Sequence, residues 1–125
     1  KIDESFIHLE AATFEKTAKE ILWTMQDKVF SFERIGRWWD KDNEIDVVGL
    51  NNKTKEIIFG EAKWSEKKIG IDILEELKKK AAFVEWNNTK RKEYYILFSK
   101  SGFTNHMRKL AKEQHILLYE IDTKI

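Results

Sequence analysis

The sequence predicts one α/β domain, a mixed central sheet of about five strands flanked by helices. Three observations carry that expectation. Apolar residues at three- and four-residue spacing alternate along the chain with β-branched runs. An early pair of strands reads as an antiparallel hairpin, whereas helices separate the later strands and make those crossovers parallel. The 125 residues are 42% hydrophobic and contain no proline, enough for one core built from unbroken elements.

Ile7, Ala11, Phe14, Ala18, Ile21 and Met25 form one apolar stripe, which predicts a helix over Glu4 to Gln26. Part of Val29 to Trp39 reads as a strand, with Phe30 and Phe32 alternating with polar residues. Asp40 to Asn43 is a turn, and the β-branched run Glu44 to Leu50 is the next strand. A turn over Asn51 to Thr54 leads into a hairpin partner, Glu56 to Trp64. Leu74, Leu77, Ala81 and Val84 mark a second helix over Ile71 to Trp86. The apolar run Tyr94 to Phe98 predicts a strand covered on both faces. A third helix follows Gly102 and Phe103, with Met107, Leu110 and Ala111 inward, and Ile116 to Ile121 closes the sheet.

Composition removes several classes of function. Lys plus Arg is 23 against 22 Asp plus Glu, so any basic surface must be local. Without cysteine there is no disulfide scaffold, thiolate nucleophile or Cys-ligated zinc. The apolar runs are far too short to span a membrane, and no signal peptide opens the sequence, so a cytoplasmic protein is expected. The start at Lys1 suggests a piece of a longer polypeptide. There is no Gly-x-x-x-x-Gly-Lys loop for a nucleotide. His8, His106 and His115 have no zinc-ligand spacing and read as structural.

The hairpin carries the chemistry. With its turn centred between Lys53 and Thr54, Leu50 faces Ile57, Val48 faces Phe59, and Asp46 faces Glu61. Opposed residues have Cβ atoms about 4.5–5.5 Å apart, and two carboxylates there repel unless something cationic lies between them. Lys63 shares a strand face with Glu61. Such a cluster suits a hard divalent cation, which takes oxygen ligands and keeps positions open for water and phosphate. The plainer alternative is a solvated strand face, on which the same register sets Glu44 against Lys63 as an ordinary ion pair.

Glu15, Glu44-Ile45-Asp46-Val47-Val48 and Gly60-Glu61-Ala62-Lys63-Trp64 together resemble the PD-(D/E)XK nuclease superfamily, whose restriction-endonuclease-like core has a similar order of elements. With Phe14, Ile35 to Trp39 and Ser99 to Phe103 added, the chain resembles, from about Phe6 to Ile121, the nuclease-like domain found C-terminal to P-loop ATPase domains in archaea and bacteria. The resemblance implies that Asp46 and Glu61, with the Ala62 carbonyl, hold Mg²⁺ or Mn²⁺, that Lys63 is the catalytic lysine, and that Glu15 points into the same site. Ile45 stands where that pattern often has proline. The activity implied is hydrolysis of DNA, with a P-loop ATPase domain of the same chain as partner and a homo-oligomer left open. A catalytically silent DNA-binding or regulatory module of that ATPase would keep the same residues.

DNA contacts are expected from Lys67 and Lys68, which follow the lysine strand, and from Lys90 and Arg91 in a basic loop. Arg37 and Trp38 are further candidates. Adjacent Trp38 and Trp39 cannot both face the core, so one ring can stack on a base or on Arg37. Ser101 or Thr104 can cap the third helix, and Ser101 can meet a phosphate. Lys78-Lys79-Lys80 reads as a solvated helix face paired with Glu75 and Glu76.

Overall fold

The computed structural model describes residues 4–121, with side chains from residue 13 onward. The side chains of Ile7, His8 and Ala11 therefore lie outside the described residues. Helix α1 (Glu4–Thr24) precedes strands β1 (Arg34–Trp39), β2 (Glu44–Asn51) and β3 (Glu56–Lys63). Then come α2 (Ile71–Ala81), β4 (Lys92–Ser99), α3 (Asn105–Gln114) and β5 (Leu117–Glu120). The strands lie in the order β1-β2-β3-β4-β5. The first three run antiparallel to one another, and β4 and β5 continue parallel to β3. This is the mixed five-stranded sheet with flanking helices that the alternation of elements predicts.

Both faces of the sheet are covered, which is why β3 and β4 are near-continuous apolar runs. On one face Phe14, Ala18 and Leu22 of α1 pack over Val47, Ile58, Ile96 and Phe98. Leu74, Leu77 and Ala81 of α2, with Met107 and Ala111 of α3, pack over Val48, Ile57, Phe59 and Leu97 on the other. Between β1 and β2 the register jumps. Gly36 faces Val48 but Trp38 faces Ile45, so β2 carries one residue more than β1, at Asp46–Val47. That β-bulge reverses the alternation, and Ile45 joins Val48 under α2 although the two are three residues apart.

Two elements differ from their expected extents. Phe30 and Phe32 are buried and meet edge to face at 4.6 Å, yet they precede the strand, which begins only at Arg34. Helix α2 ends at Ala81, five residues short of Trp86. There Arg91 donates to the carbonyls of Ala81 (2.9 Å), Val84 (2.6 Å) and Trp86 (3.1 Å). These bonds satisfy oxygens that a longer helix would have used. Val84 still reaches the core from the turn beyond the helix.

Candidate metal and phosphodiester site

The expected hairpin register holds for Leu50–Ile57 and Val48–Phe59, and ladder pairing ends at Val47–Gly60. Asp46 and Glu61 are the next residues along and sit where the two strands part. Here Asp46 Oδ2 accepts the backbone N–H of Ala62 at 3.0 Å. This contact fixes the Asp46 carboxylate against the backbone of β3, and both Asp46 and Glu61 are buried.

Glu61 projects to the α2 side, as its position two residues from Phe59 requires. Its Oε1 lies 3.7 Å from Lys63 Nζ and 3.3 Å from Lys80 Nζ. Its Oε2 is buried without a hydrogen-bond partner among the described residues. Burial, and then the neighbouring Asp46 charge, push the Glu61 carboxyl up to about 7, against the opposing pull of Lys80 and Lys63. From α1, Glu15 joins the same group. Its carboxyl is raised by burial, by the charge of Asp46 and by a hydrogen bond with Asp46, with a smaller contribution from Glu44. Phe14 and Ala18 anchor that stretch of α1 to the sheet.

The sheet thus brings Glu15, Asp46, Glu61 and Lys63 to one end of the hairpin. The Asp46 charge raises both the Glu15 and the Glu61 carboxyl, and these three acids face only two lysines. An unpartnered, buried carboxylate oxygen is a donor waiting for an electrophile. These residues therefore fit a hard divalent cation, with Asp46 and Glu61 as the carboxylate donors. Among the described residues no three His, Asp or Glu side chains already surround one point in ligating geometry. Asp46 Oδ2 is occupied by Ala62, and Glu61 Oε1 by the two lysines.

Lys63 is held at the solvent edge, with its side chain 38% exposed. Its carbonyl accepts the Lys100 N–H at 3.2 Å, which ties the end of β3 to the end of β4. Lys67 and Lys68 are exposed and, with Lys63, line a pocket of about 170 Å³ beside the N-terminus of α2. The Ser101 hydroxyl is committed to the Ser65 carbonyl, bracing the loop after β3. Thr104 is the residue that caps α3, accepting the Met107 N–H at 3.1 Å.

Other expected residues lie away from this group. Arg91 is buried, with its side chain 5% exposed, and its guanidinium is spent on the end of α2 and on Glu93 at 2.7 Å. Lys90 is exposed but lies in the same loop, which leads into β4 beside Glu56, at the end of β3 opposite Glu61. That separation is roughly 16 Å along the strand. Glu44 is not paired across the hairpin with Lys63. It meets Arg37 at 3.1 Å, and Arg37 in turn lies 5.3 Å from the Trp39 ring. Trp38 packs against the core, and Trp39, 64% exposed, is the ring left at the surface.

Lys80 is the site residue that sequence reasoning missed, because Glu76 four residues earlier offered it a helical partner. The available signal was its place three residues after buried Leu77 and just before buried Ala81, on the flank of α2 that faces the sheet.

The crystal structure of a repair endonuclease from Pyrococcus abyssi shares this fold. The two superpose with a TM-score of 0.52 at 16% identity, over 86% of this chain and 47% of that one. The structure of the EndoMS-dsDNA2 complex aligns with a TM-score of 0.48 at 13% identity, over 87% of this chain and 45% of that one. In sequence, the Uncharacterized protein MJECL04 of Methanocaldococcus jannaschii is 45% identical over 58 residues. The match covers 44% of this chain and only 13% of that protein's length. Residues 1–70, more than half of the chain and including Glu15, Asp46, Glu61 and Lys63, match the DUF234 family, archaea bacterial proteins of unknown function, and the chain belongs to that family.

Proposed function

We propose that this domain is a divalent-metal-dependent phosphodiesterase that hydrolyses DNA. The observation that carries the reading is Glu61 Oε2, buried beside the Asp46 carboxylate and unpartnered among the described residues. Asp46 and Glu61, with the Ala62 carbonyl, would hold Mg²⁺ or Mn²⁺. Such an ion would supply positive charge for the phosphoryl oxygens and lower the pKa of a bound water.

The chain's own groups do the rest. Lys63 faces solvent from the edge of the acidic site and can donate a hydrogen bond to the attacking water or to the oxygen on which charge develops. Glu15 lies close enough to Asp46 for that charge to raise its carboxyl, and Glu15 can take up the proton that water gives up. Lys67 and Lys68, next to Lys63, suit the flanking phosphates of a strand, and exposed Trp39, stacked on Arg37, suits a base.

The curated relative is far longer than this chain. We take the domain to work within a longer polypeptide, attached to a P-loop ATPase domain as the resemblance implies. A cytoplasmic setting accords with the described residues, in which no helix is long and apolar enough to cross a membrane.

A plasmid-nicking assay with Mg²⁺ or Mn²⁺ tests the activity, run beside Lys63→Ala and a chelator control. Nicking lost in both controls supports it, and equal nicking by wild type and Lys63→Ala overturns it. One observation favours the silent module instead: both lysines already neutralise Glu61. Metal-independent DNA binding with no nicking would establish that reading.

A further inference from the structure

The second lysine on Glu61 sets a question that the phosphodiesterase reading does not answer. A strand lysine two residues from its acid is held there by the pleat, whereas Lys80 reaches over from the last turn of α2. Its neighbours Lys78 and Lys79 are exposed, but Lys80 has only 25% of its side chain exposed and brings Nζ to 3.3 Å from Glu61 Oε1. Confining a long, strongly hydrated ammonium side chain is unfavourable unless it neutralises something. The acid it meets is buried beside another carboxylate, and its second oxygen has no hydrogen-bond partner among the described residues.

We infer that Lys80 is a built-in counter-ion for Glu61, a positioning residue that occupies the site in place of a divalent cation and is displaced when one binds. The inference rests on the metal reading of the site and adds a competitor to it. A dication at Glu61 would stand a few ångströms from two ammonium groups, and one of them must withdraw. Lys63 belongs to β3, whose backbone is tied to β4 through the Lys100 N–H, so its origin is fixed. Lys80 has somewhere to go. It lies in the last turn of α2, where the helix dipole favours a cation and solvent is close. The lysine also stabilises the metal-free fold, because without it the buried carboxylate would face Asp46 with one ammonium instead of two.

The pair therefore couples metal affinity to the C-terminal turn of α2, and the coupling can be measured without turnover. Mn²⁺ is titrated into wild type, Lys80→Gln and Lys80→Arg, following bound metal by electron paramagnetic resonance and melting temperature with and without metal. Lys80→Gln is expected to bind Mn²⁺ about tenfold more tightly. It is also expected to melt lower than wild type without metal and to gain more from Mn²⁺. Lys80→Arg keeps the charge and is expected to stay within about threefold of wild type. If Lys80→Gln folds and binds Mn²⁺ as wild type does, or more weakly, Lys80 is no competitor and the inference falls while the metal reading stands. If neither wild type nor Lys80→Gln binds Mn²⁺, the metal reading fails and takes this inference with it.

Discussion

Asp46 Oδ2 accepts the backbone N–H of Ala62 at 3.0 Å, at the point where β2 and β3 cease to pair. One side chain thereby closes an open end of the sheet and sets an acid beside Glu61. The two roles separate by substitution. Asp46→Asn keeps an acceptor for Ala62 but removes the charge, so it should fold with near-wild-type stability and fail to nick DNA. Asp46→Ala leaves a buried N–H unpaired and should be less stable by about 1–3 kcal/mol. Urea unfolding of the two variants, followed by tryptophan fluorescence, checks the difference.

Glu61 makes stability depend on pH in an unusual direction. Its carboxyl is pushed up to about 7 from an ordinary 4.5. Between these values the folded protein keeps a proton that the unfolded chain has released. Its contribution is therefore complete below the lower value and is lost as pH rises through the upper one, a change of about 3 kcal/mol. Denaturant melts from pH 4 to 8 in chelator should show that decline. In Glu61→Gln it should be largely gone.

Lys63→Ala should lower nicking by about a hundredfold or more, the usual effect of removing a donor aimed at developing charge. Because the side chain is partly exposed and its ion pair is the longer of the two at Glu61, the melting temperature should barely move. Circular dichroism melts beside the nicking assay check both halves.

Arg91→Ala should be the most destabilising single change outside the apolar core, by about 3 kcal/mol. It strips bonds from three carbonyls at once and leaves Glu93 without its ion-pair partner. Arg91→Lys should rescue little, because an ammonium cannot fork to the same oxygens. Chemical denaturation measures both, and the affinity of the folded variants for DNA should match wild type.

How far the sequence could be read follows from the range of the interactions. Periodicity and turn residues are local, and they located every strand and helix, including the hairpin register at Leu50–Ile57 and Val48–Phe59. The end of α2 was illegible because Arg91, ten residues beyond Ala81, sets it. The site was legible in part. Asp46, Glu61 and Lys63 lie on neighbouring strands whose pairing can be counted, and the structure brings them together. Lys80 was not, since its partner is chosen by how a helix lies on a sheet, and no spacing along the chain encodes that angle. Trp38 and Trp39 follow the same division. Alternation says that one ring faces outward, and only the packing under α2 says which.

The extra residue in β2 makes the aim of Asp46 a matter of chain length as much as of chemistry. Removing Val47 would hand Asp46 the seat beneath α1 that valine now fills among Ile58, Ile96 and Phe98. An acid would then be pressed into an aliphatic layer while every side chain named in the site remained in the protein. At this end of the hairpin a single-codon deletion is expected to do more harm than almost any exchange of one amino acid for another.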